Sequence, residues 1–163
     1  MRRNVLSVSL LLALAAMAMP KLSHAAATAT PVATIVGTMT QPVPVISTLT
    51  AVAVPNIQMV NVQCLKNANG LYSGSFNYSE TTGLNLNTTN VGLLSKTAAS
   101  VTLYAHVAYT NSSGVFCLYD VALLTVTKSS SGTSVTLKIM DPMGRITYLT
   151  RTGMLSSGSV VVF

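Results

Sequence analysis

The stretch that decides the fold is VTLYAHVAY, residues 101–109. Its odd-numbered side chains are apolar or aromatic, whereas Thr102, Tyr104 and His106 form a more polar set. Because successive side chains of a strand point to opposite faces, this period of two predicts a half-buried β-strand. The turn residues Asn-Ser-Ser-Gly, 111–114, lead into a second apolar stretch, 115–126, and together they predict an antiparallel hairpin.

The apolar faces of the two strands suggest a register for this hairpin. A pairing of Tyr109 with Val115 would place Cys117 opposite Val107 on a shared apolar face. A slip of one residue would bring that face against the more polar one, so we expect the even register.

This register brings the titratable residues of the hairpin towards each other. Tyr104 would lie opposite Asp120, and His106 would be diagonal to Asp120 at a backbone separation of about 7 to 8 Å. A serine could complete a nucleophilic triad, but the sequence lacks the G-x-S-x-G motif that places such a serine on a strand-to-helix turn. A single histidine beside a carboxylate is more often a polar contact, so we expect no catalytic residues and no enzymatic activity.

Alternation recurs along the rest of the chain. Apolar and aromatic residues follow each other at spacing two at Tyr72, Phe76 and Tyr78 and again over residues 135–139, while residues 141–144, Asp-Pro-Met-Gly, fit a type I turn. The apolar stretches 45–54, 57–62 and 159–163 are further candidate strands. No segment has a helical period, so the sequence predicts an all-β fold, either an antiparallel β-sandwich or a barrel-like meander.

The first residues have the layout of a secretory signal peptide. Arg2 and Arg3 precede an uncharged run from Val5 to Met19, and small residues follow at possible cleavage sites after Ala25 or Ala27. We therefore expect a signal peptide over residues 1–25, with no stable anchor in the inner membrane. An extended arm or linker rich in Ala, Thr and Pro would follow over residues 26–44, and a β-rich domain over residues 45–163.

Cys64 and Cys117 are the two cysteines of the chain. In an exported domain such a pair is typical of a disulfide, which would stabilise the fold by roughly 4 kcal/mol. No CxxC spacing supports a metal site or a redox site, and we expect neither a metal nor a cofactor.

The charge balance argues against nucleic acid as a partner. The chain has nine basic and three acidic residues, but Arg2, Arg3 and Lys21 belong to the expected signal peptide. The remaining basic residues do not form a run with interleaved aromatics, so we expect no nucleic-acid binding.

These features favour an exported module with a structural, adhesive or binding role, located in the periplasm, at the cell surface or outside the cell. Its partners would be proteins or cell-surface components. The layout is broadly similar in architecture to subunits of chaperone-assembled bacterial pili, in which one subunit's arm completes another subunit's sheet. It departs from them at the penultimate residue, Val162, where those subunits tend to have an aromatic residue, and it is not assigned to that family.

Three alternatives remain open from the sequence. A small outer-membrane β-barrel fits the positive mean hydropathy and the alternating strands, although only 6% of residues are aromatic. A small hydrolase would rest on His106 and Asp120. An inhibitor would present one of the polar turns at residues 67–70, 111–114 or 129–133.

Overall fold

The computed structural model describes residues 28–41, 56–110 and 114–163. Over these ranges the chain forms strands and turns without a helix, and so has no helix that could cross a membrane. The strands are β1 (Thr30–Gln41), β2 (Asn56–Lys66), β3 (Tyr72–Glu80), β4 (Asn85–Thr88), β5 (Val91–Lys96), β6 (Ser100–Thr110), β7 (Phe116–Ser129), β8 (Gly132–Met140), β9 (Thr147–Met154) and β10 (Val160–Val162). The signal peptide expected over residues 1–25 and the candidate strand over residues 45–54 lie outside the described residues.

The strands form two five-stranded antiparallel sheets, with the orders β10-β1-β2-β3-β4 and β5-β6-β7-β8-β9. Within each sheet, neighbours in space are neighbours in sequence, except that β10 returns to pair with β1. At one junction between the sheets, β5 follows β4 after only two residues. At the other, the Leu155 amide donates to the carbonyl oxygen of Thr133 in β8, and Leu155 also bridges to Met39 of β1. The expected all-β antiparallel fold is confirmed.

The inner faces of both sheets supply one apolar core. The odd-numbered side chains of β6 are all buried, as their alternation predicted, and so are Phe76 and Tyr78 of β3. The buried apolar residues of β8 are Val135, Leu137 and Ile139, again at spacing two. Because large side chains fill the space between the sheets, any open binding site is expected at an end of the fold.

The turn predicted at residues 141–144 is present between β8 and β9. The amide of Gly144 donates to the carbonyl oxygen of Asp141 at 2.8 Å, which is the bond between the first and fourth residues of a β-turn. Gly144 has a φ of 70°, a backbone conformation that glycine adopts without the cost imposed by a side chain.

Residues 30–41 were expected in an arm or linker, but they form β1, which lies between β10 and β2. The strand pairs with β2 from Thr30 to Gln41, with one irregularity between Pro31 and Ala33. Ala33, Ile35 and Met39 are buried in the core. This segment therefore completes the sheet of its own chain. The composition suggested a linker because it is rich in Thr and Pro, yet Pro31 is accommodated at the irregularity near the end of the strand.

The register expected for the β6–β7 hairpin is wrong. Tyr109 pairs with Cys117, and Val107 pairs with Asp120, so β7 has one more residue than β6 between these two pairs. Such a bulge changes which residues of the bulged strand face inward. The core-facing residues of β7 are the even-numbered Ala122, Leu124 and Val126, and Asp120 lies on the same inward face.

The outward faces of the sheets are mixed in character. Cross-strand hydroxyl pairs occur there, with Thr102 and Thr125 at 3.1 Å and Thr136 and Thr152 at 3.2 Å. Exposed apolar side chains lie on the outward faces as well, among them Met59. The inward faces are therefore apolar, whereas the outward faces combine polar and apolar side chains.

Candidate functional site

A cleft with a volume of about 1050 Å³ opens at one end of the fold. We call this the cleft end: the β3–β4, β6–β7 and β8–β9 connections lie there. Both sheets contribute to the walls. The lining residues are Glu80, Thr82, Gly83, Leu84, Tyr109, Thr110, Gly114, Cys117, Asp120, Tyr148, Leu149 and Arg151.

Glu80 is the most heavily hydrogen-bonded side chain of the cleft. Its Oε1 accepts from Arg151 Nε at 2.8 Å and from the Tyr78 hydroxyl at 2.7 Å. Its Oε2 accepts from Thr82 at 2.7 Å, from Asn56 at 3.1 Å and from Arg151 Nη2 at 3.4 Å. The Glu80 side chain is fully buried, and the Arg151 side chain is about one-quarter exposed. We call these five residues the Glu80 cluster, and it ties β2 and β3 of one sheet to β9 of the other.

The hydrogen bonds of the Glu80 cluster decide its charge. Burial alone would raise the pKa of Glu80, but donation from Arg151, Tyr78, Thr82 and Asn56 outweighs burial and holds the pKa below its usual value. Burial and the adjacent carboxylate both raise the pKa of Tyr78, so its hydroxyl stays protonated and keeps donating. Glu80 is therefore ionised, and its charge is balanced by the Arg151 guanidinium. Both of its oxygens already accept hydrogen bonds, which suits a structural role better than a role as a catalytic base.

Asp120 is the second buried carboxylate of the cleft, with a residue exposure of 6%. Burial raises its pKa, and the nearby Asp141 raises it further, while a hydrogen bond from Tyr109 lowers it. Burial, Cys117 and Asp120 together raise the pKa of Tyr109. Asp120 is thus an inward-facing acid whose neighbours are the Tyr109 hydroxyl, a hydrogen-bond donor, and a second acid, Asp141.

Asp141 is held by the turn that it begins. Its Oδ1 accepts from the Ile146 amide at 2.6 Å, and its Oδ2 lies 3.5 Å from Arg145 Nε. The backbone bond from Ile146 is the main reason that the pKa of Asp141 lies below its usual value. Asp141 is consequently a capping group for the β8–β9 turn that also acts on Asp120 as a negative charge.

The structure does not bring the predicted polar cluster together. Tyr104 pairs with Leu123 and His106 with Val121, and both side chains lie on the outward face, whereas Asp120 points inward. The rings of Tyr104 and His106 meet edge to face, with centroids 6.1 Å apart. Tyr104 also covers Gly92 of β5, where an added Cβ would clash with its ring. The predicted cluster fails because the bulge in β7 reverses the face on which Asp120 lies.

The two cysteines are free thiols in this structure, so the predicted disulfide is not confirmed. Cys64 is buried on β2 between Ala33 and Gly74, and burial raises the pKa of its thiol. Cys117 lines the cleft, and Cys64 is not one of its lining residues. Glu80 of the same cleft pairs with Gln58, and Cys64 lies six residues beyond Gln58 along β2, about 20 Å at the usual rise per residue. The two thiols therefore lie in different parts of the fold.

Sequence reasoning missed the Glu80 cluster. Glu80 was not among the expected site residues, although it continues the spacing of two from Phe76 and Tyr78 and so belongs to their inward face. That alternation was the available signal. Its partner Arg151 lies 71 residues away on the other sheet, and no local pattern connects the two.

No protein-family model matches the chain, and neither a curated protein nor a solved structure matches it. Within the described ranges, no three or more His, Cys, Asp or Glu residues are grouped so that they could hold a metal ion. The argument about function therefore rests on the cleft and on the distribution of charged and apolar side chains.

Proposed function

We propose that the protein is an exported, non-catalytic β-domain that binds a protein partner at its cleft end. The observation that carries the proposal is the combination of an open cleft with an apolar rim. Five large apolar or aromatic side chains in the connections and strand ends of this end are exposed: Val115, Phe116, Met143, Ile146 and Tyr148. Tyr148 lines the cleft itself, and Val115 and Phe116 lie in sequence between the lining residues Gly114 and Cys117. Apolar side chains clustered beside a cleft are typical of interaction sites.

The polar groups of the cleft support binding better than catalysis. Glu80 is saturated by its neighbours, and Asp120 has Tyr109 in place of a histidine as its hydrogen-bond donor. His106, the histidine considered for a hydrolase, is on the outward face of β6. A fixed polar floor beneath an apolar rim suits a partner that inserts apolar side chains and leaves its polar groups at the edge.

The outer-membrane alternative receives less support. A protein that crosses a membrane with strands needs a continuous apolar band on its outward face, and here cross-strand hydroxyl pairs interrupt the exposed apolar side chains. Export itself remains a proposal that rests on the sequence of residues 1–25.

Site-specific photo-crosslinking tests the proposal. A photoreactive phenylalanine analogue is introduced at Phe116 or at Tyr148 in the full chain, in the cells that produce it. The matched control position is Val162 on the outward face of β10, since Val162 and Phe116 are 60% and 61% exposed. We expect a protein adduct of one defined mass from the two cleft-end positions and not from Val162. Equal yields at both ends, or none at the cleft end, would contradict the proposal.

A further inference from the structure

The charges of the domain are divided between its two ends. The chain has three acidic side chains, and all of them, Glu80, Asp120 and Asp141, lie at or next to the cleft. Both arginines of the described ranges are there too, and each pairs with one of these acids. Four lysines lie within the described ranges, and three of them are at the opposite end, which we call the lysine end: Lys66, Lys96 and Lys128.

The three lysines surround the beginning of β1. Lys66 pairs with Thr30, the first residue of that strand. The ammonium group of Lys96 donates to the Val32 carbonyl at 3.0 Å. Lys128 lies 4.0 Å from the centroid of the Phe163 ring. The three lysines therefore lie at one end of the fold, whereas the three Asp and Glu side chains of the chain lie at the other.

Exposed apolar side chains accompany the lysines. Leu71 follows the turn after Lys66 and is 63% exposed, and Leu94 precedes Lys96 by two residues and is 61% exposed. Lys66 also lies over the ring of Tyr72, with 5.9 Å between Nζ and the ring centroid. A surface that combines ammonium groups with isolated leucines and aromatic rings matches the charged and apolar layers of a lipid headgroup region.

From this charge separation we propose that the lysine end binds the surface of an anionic membrane. Anionic headgroups attract lysines near the surface, and the attraction falls off within a Debye length, so only the end that faces the membrane contributes. Leu71 and Leu94 add contact with the acyl boundary. The cleft end then points away from the membrane and stays open to a partner. The proposal goes beyond the cleft and does not depend on it.

Vesicle binding provides the first test. The purified full chain is titrated with vesicles of phosphatidylcholine alone or with a 30% phosphatidylglycerol admixture. We expect the anionic vesicles to bind more tightly, and high salt to remove the difference. Replacing each of the three lysines with Gln should weaken binding to anionic vesicles by about fivefold, and replacing all three should weaken it roughly 100-fold.

Two controls separate the lysine end from general basicity and from misfolding. The matched control is the pair Lys138→Gln and Arg145→Gln, which removes charges elsewhere and should change binding by less than about twofold. The triple replacement with Arg keeps the charges and should bind as the unchanged protein does. The segment 1–27 is the same in all variants, so differences between them report on the lysine end.

Orientation is tested with tryptophan reporters, because the chain contains no tryptophan. Leu71→Trp labels the lysine end, and Met143→Trp labels the cleft end at a similar exposure of 72%. We expect anionic vesicles to shift the emission of the first variant to shorter wavelength and to leave the second unchanged. Equal shifts, a shift of Met143→Trp alone, or unaltered vesicle binding by the triple Gln variant would overturn the proposal. The proposal would also be overturned if the three Gln replacements weakened binding to dextran sulfate but left binding to vesicles unchanged. Crosslinking at the cleft end can succeed or fail independently of these results.

Discussion

Glu80 and Asp120 are both buried carboxylates of the same cleft, yet their pKa values move in opposite directions. Glu80 accepts hydrogen bonds from four side chains, one of them the Arg151 guanidinium. Asp120 has the Tyr109 hydroxyl as a donor and the charge of Asp141 as a neighbour. Burial acts on both carboxyls in the same direction, so the difference comes from the partners that the fold supplies.

The comparison distinguishes Glu80, an acid with a structural role, from Asp120, an acid whose charge is poorly compensated. In the Glu80 cluster, the charge is compensated by a cation from the other sheet, and its removal should be costly. At Asp120 the charge is poorly compensated, so its removal should cost little or even stabilise the protein. The predictions on Arg151, the two tyrosines, pH and Asp120 test this contrast, and a last one compares the two thiols. They are ordered from the largest expected effect on stability to the smallest.

Arg151→Leu should have the largest effect. It leaves Glu80 as a buried carboxylate without its cation, which costs about 3 to 5 kcal/mol in free energy of unfolding. Urea unfolding at pH 7 measures the loss. The control is Arg145→Leu, whose side chain is 74% exposed and whose ion pair should contribute less than about 1 kcal/mol. Equal losses in the two variants would contradict the role given to Arg151.

Two tyrosine replacements compare the acids through their donors. Tyr78→Phe removes a bond to an ionised carboxylate and should cost about 1.5 to 3 kcal/mol, whereas Tyr109→Phe should cost about 1 kcal/mol. The same unfolding measurement compares them, and the chemical change is identical in both. A larger loss for Tyr109→Phe would reverse the assignment of the charged acid to Glu80.

The two acids should change the free energy of unfolding in opposite directions as the pH rises. Because the pKa of Glu80 is lowered on folding, its contribution is present above the ordinary value of 4.5 and is lost as the pH falls through its folded pKa. Because the pKa of Asp120 is raised, stability decreases as the pH rises from its ordinary value of 3.8 through its folded pKa.

Replacement of Asp120 isolates its part of this profile. Asp120→Asn should gain stability relative to the unchanged protein between pH 4 and pH 7, by an amount on the order of 1 kcal/mol. Unfolding curves across this range provide the measurement. If Asp120→Asn instead lost stability relative to the unchanged protein as the pH rose to 7, the fold would stabilise the charged form of Asp120.

Thiol reactivity should differ between the sites while stability stays unchanged. Cys117 lies at the cleft, and Cys64 is buried with a raised pKa, so one thiol should react with a disulfide reagent in the folded protein and the second only after unfolding. Intact mass with and without reductant provides the control. A loss of two hydrogens without reductant would restore the disulfide that the sequence suggested.

Strands β1, β6 and β8 show which features of the fold can be predicted from neighbouring residues in the sequence and which cannot. Their apolar faces could be predicted at β6 and β8, because a half-buried strand imposes a period of two on neighbouring residues. The turn at Asp141 could be predicted as well, since its geometry selects residues within four positions. The segment that forms β1 was expected in an extended arm or linker, because its place in the sheet depends on pairing with β2 and β10 rather than on its own composition.

The sequence by itself determined the class of fold, the inward faces of β3, β6 and β8, and the small number of acids. Only the tertiary structure decided which acid meets a cation, which face Asp120 occupies and where the two thiols lie. The physical reason is range: alternation and turn chemistry act between residues a few positions apart. A single bulge in β7 reversed a face, and the bond between Glu80 and Arg151 joins residues 71 positions apart on different sheets.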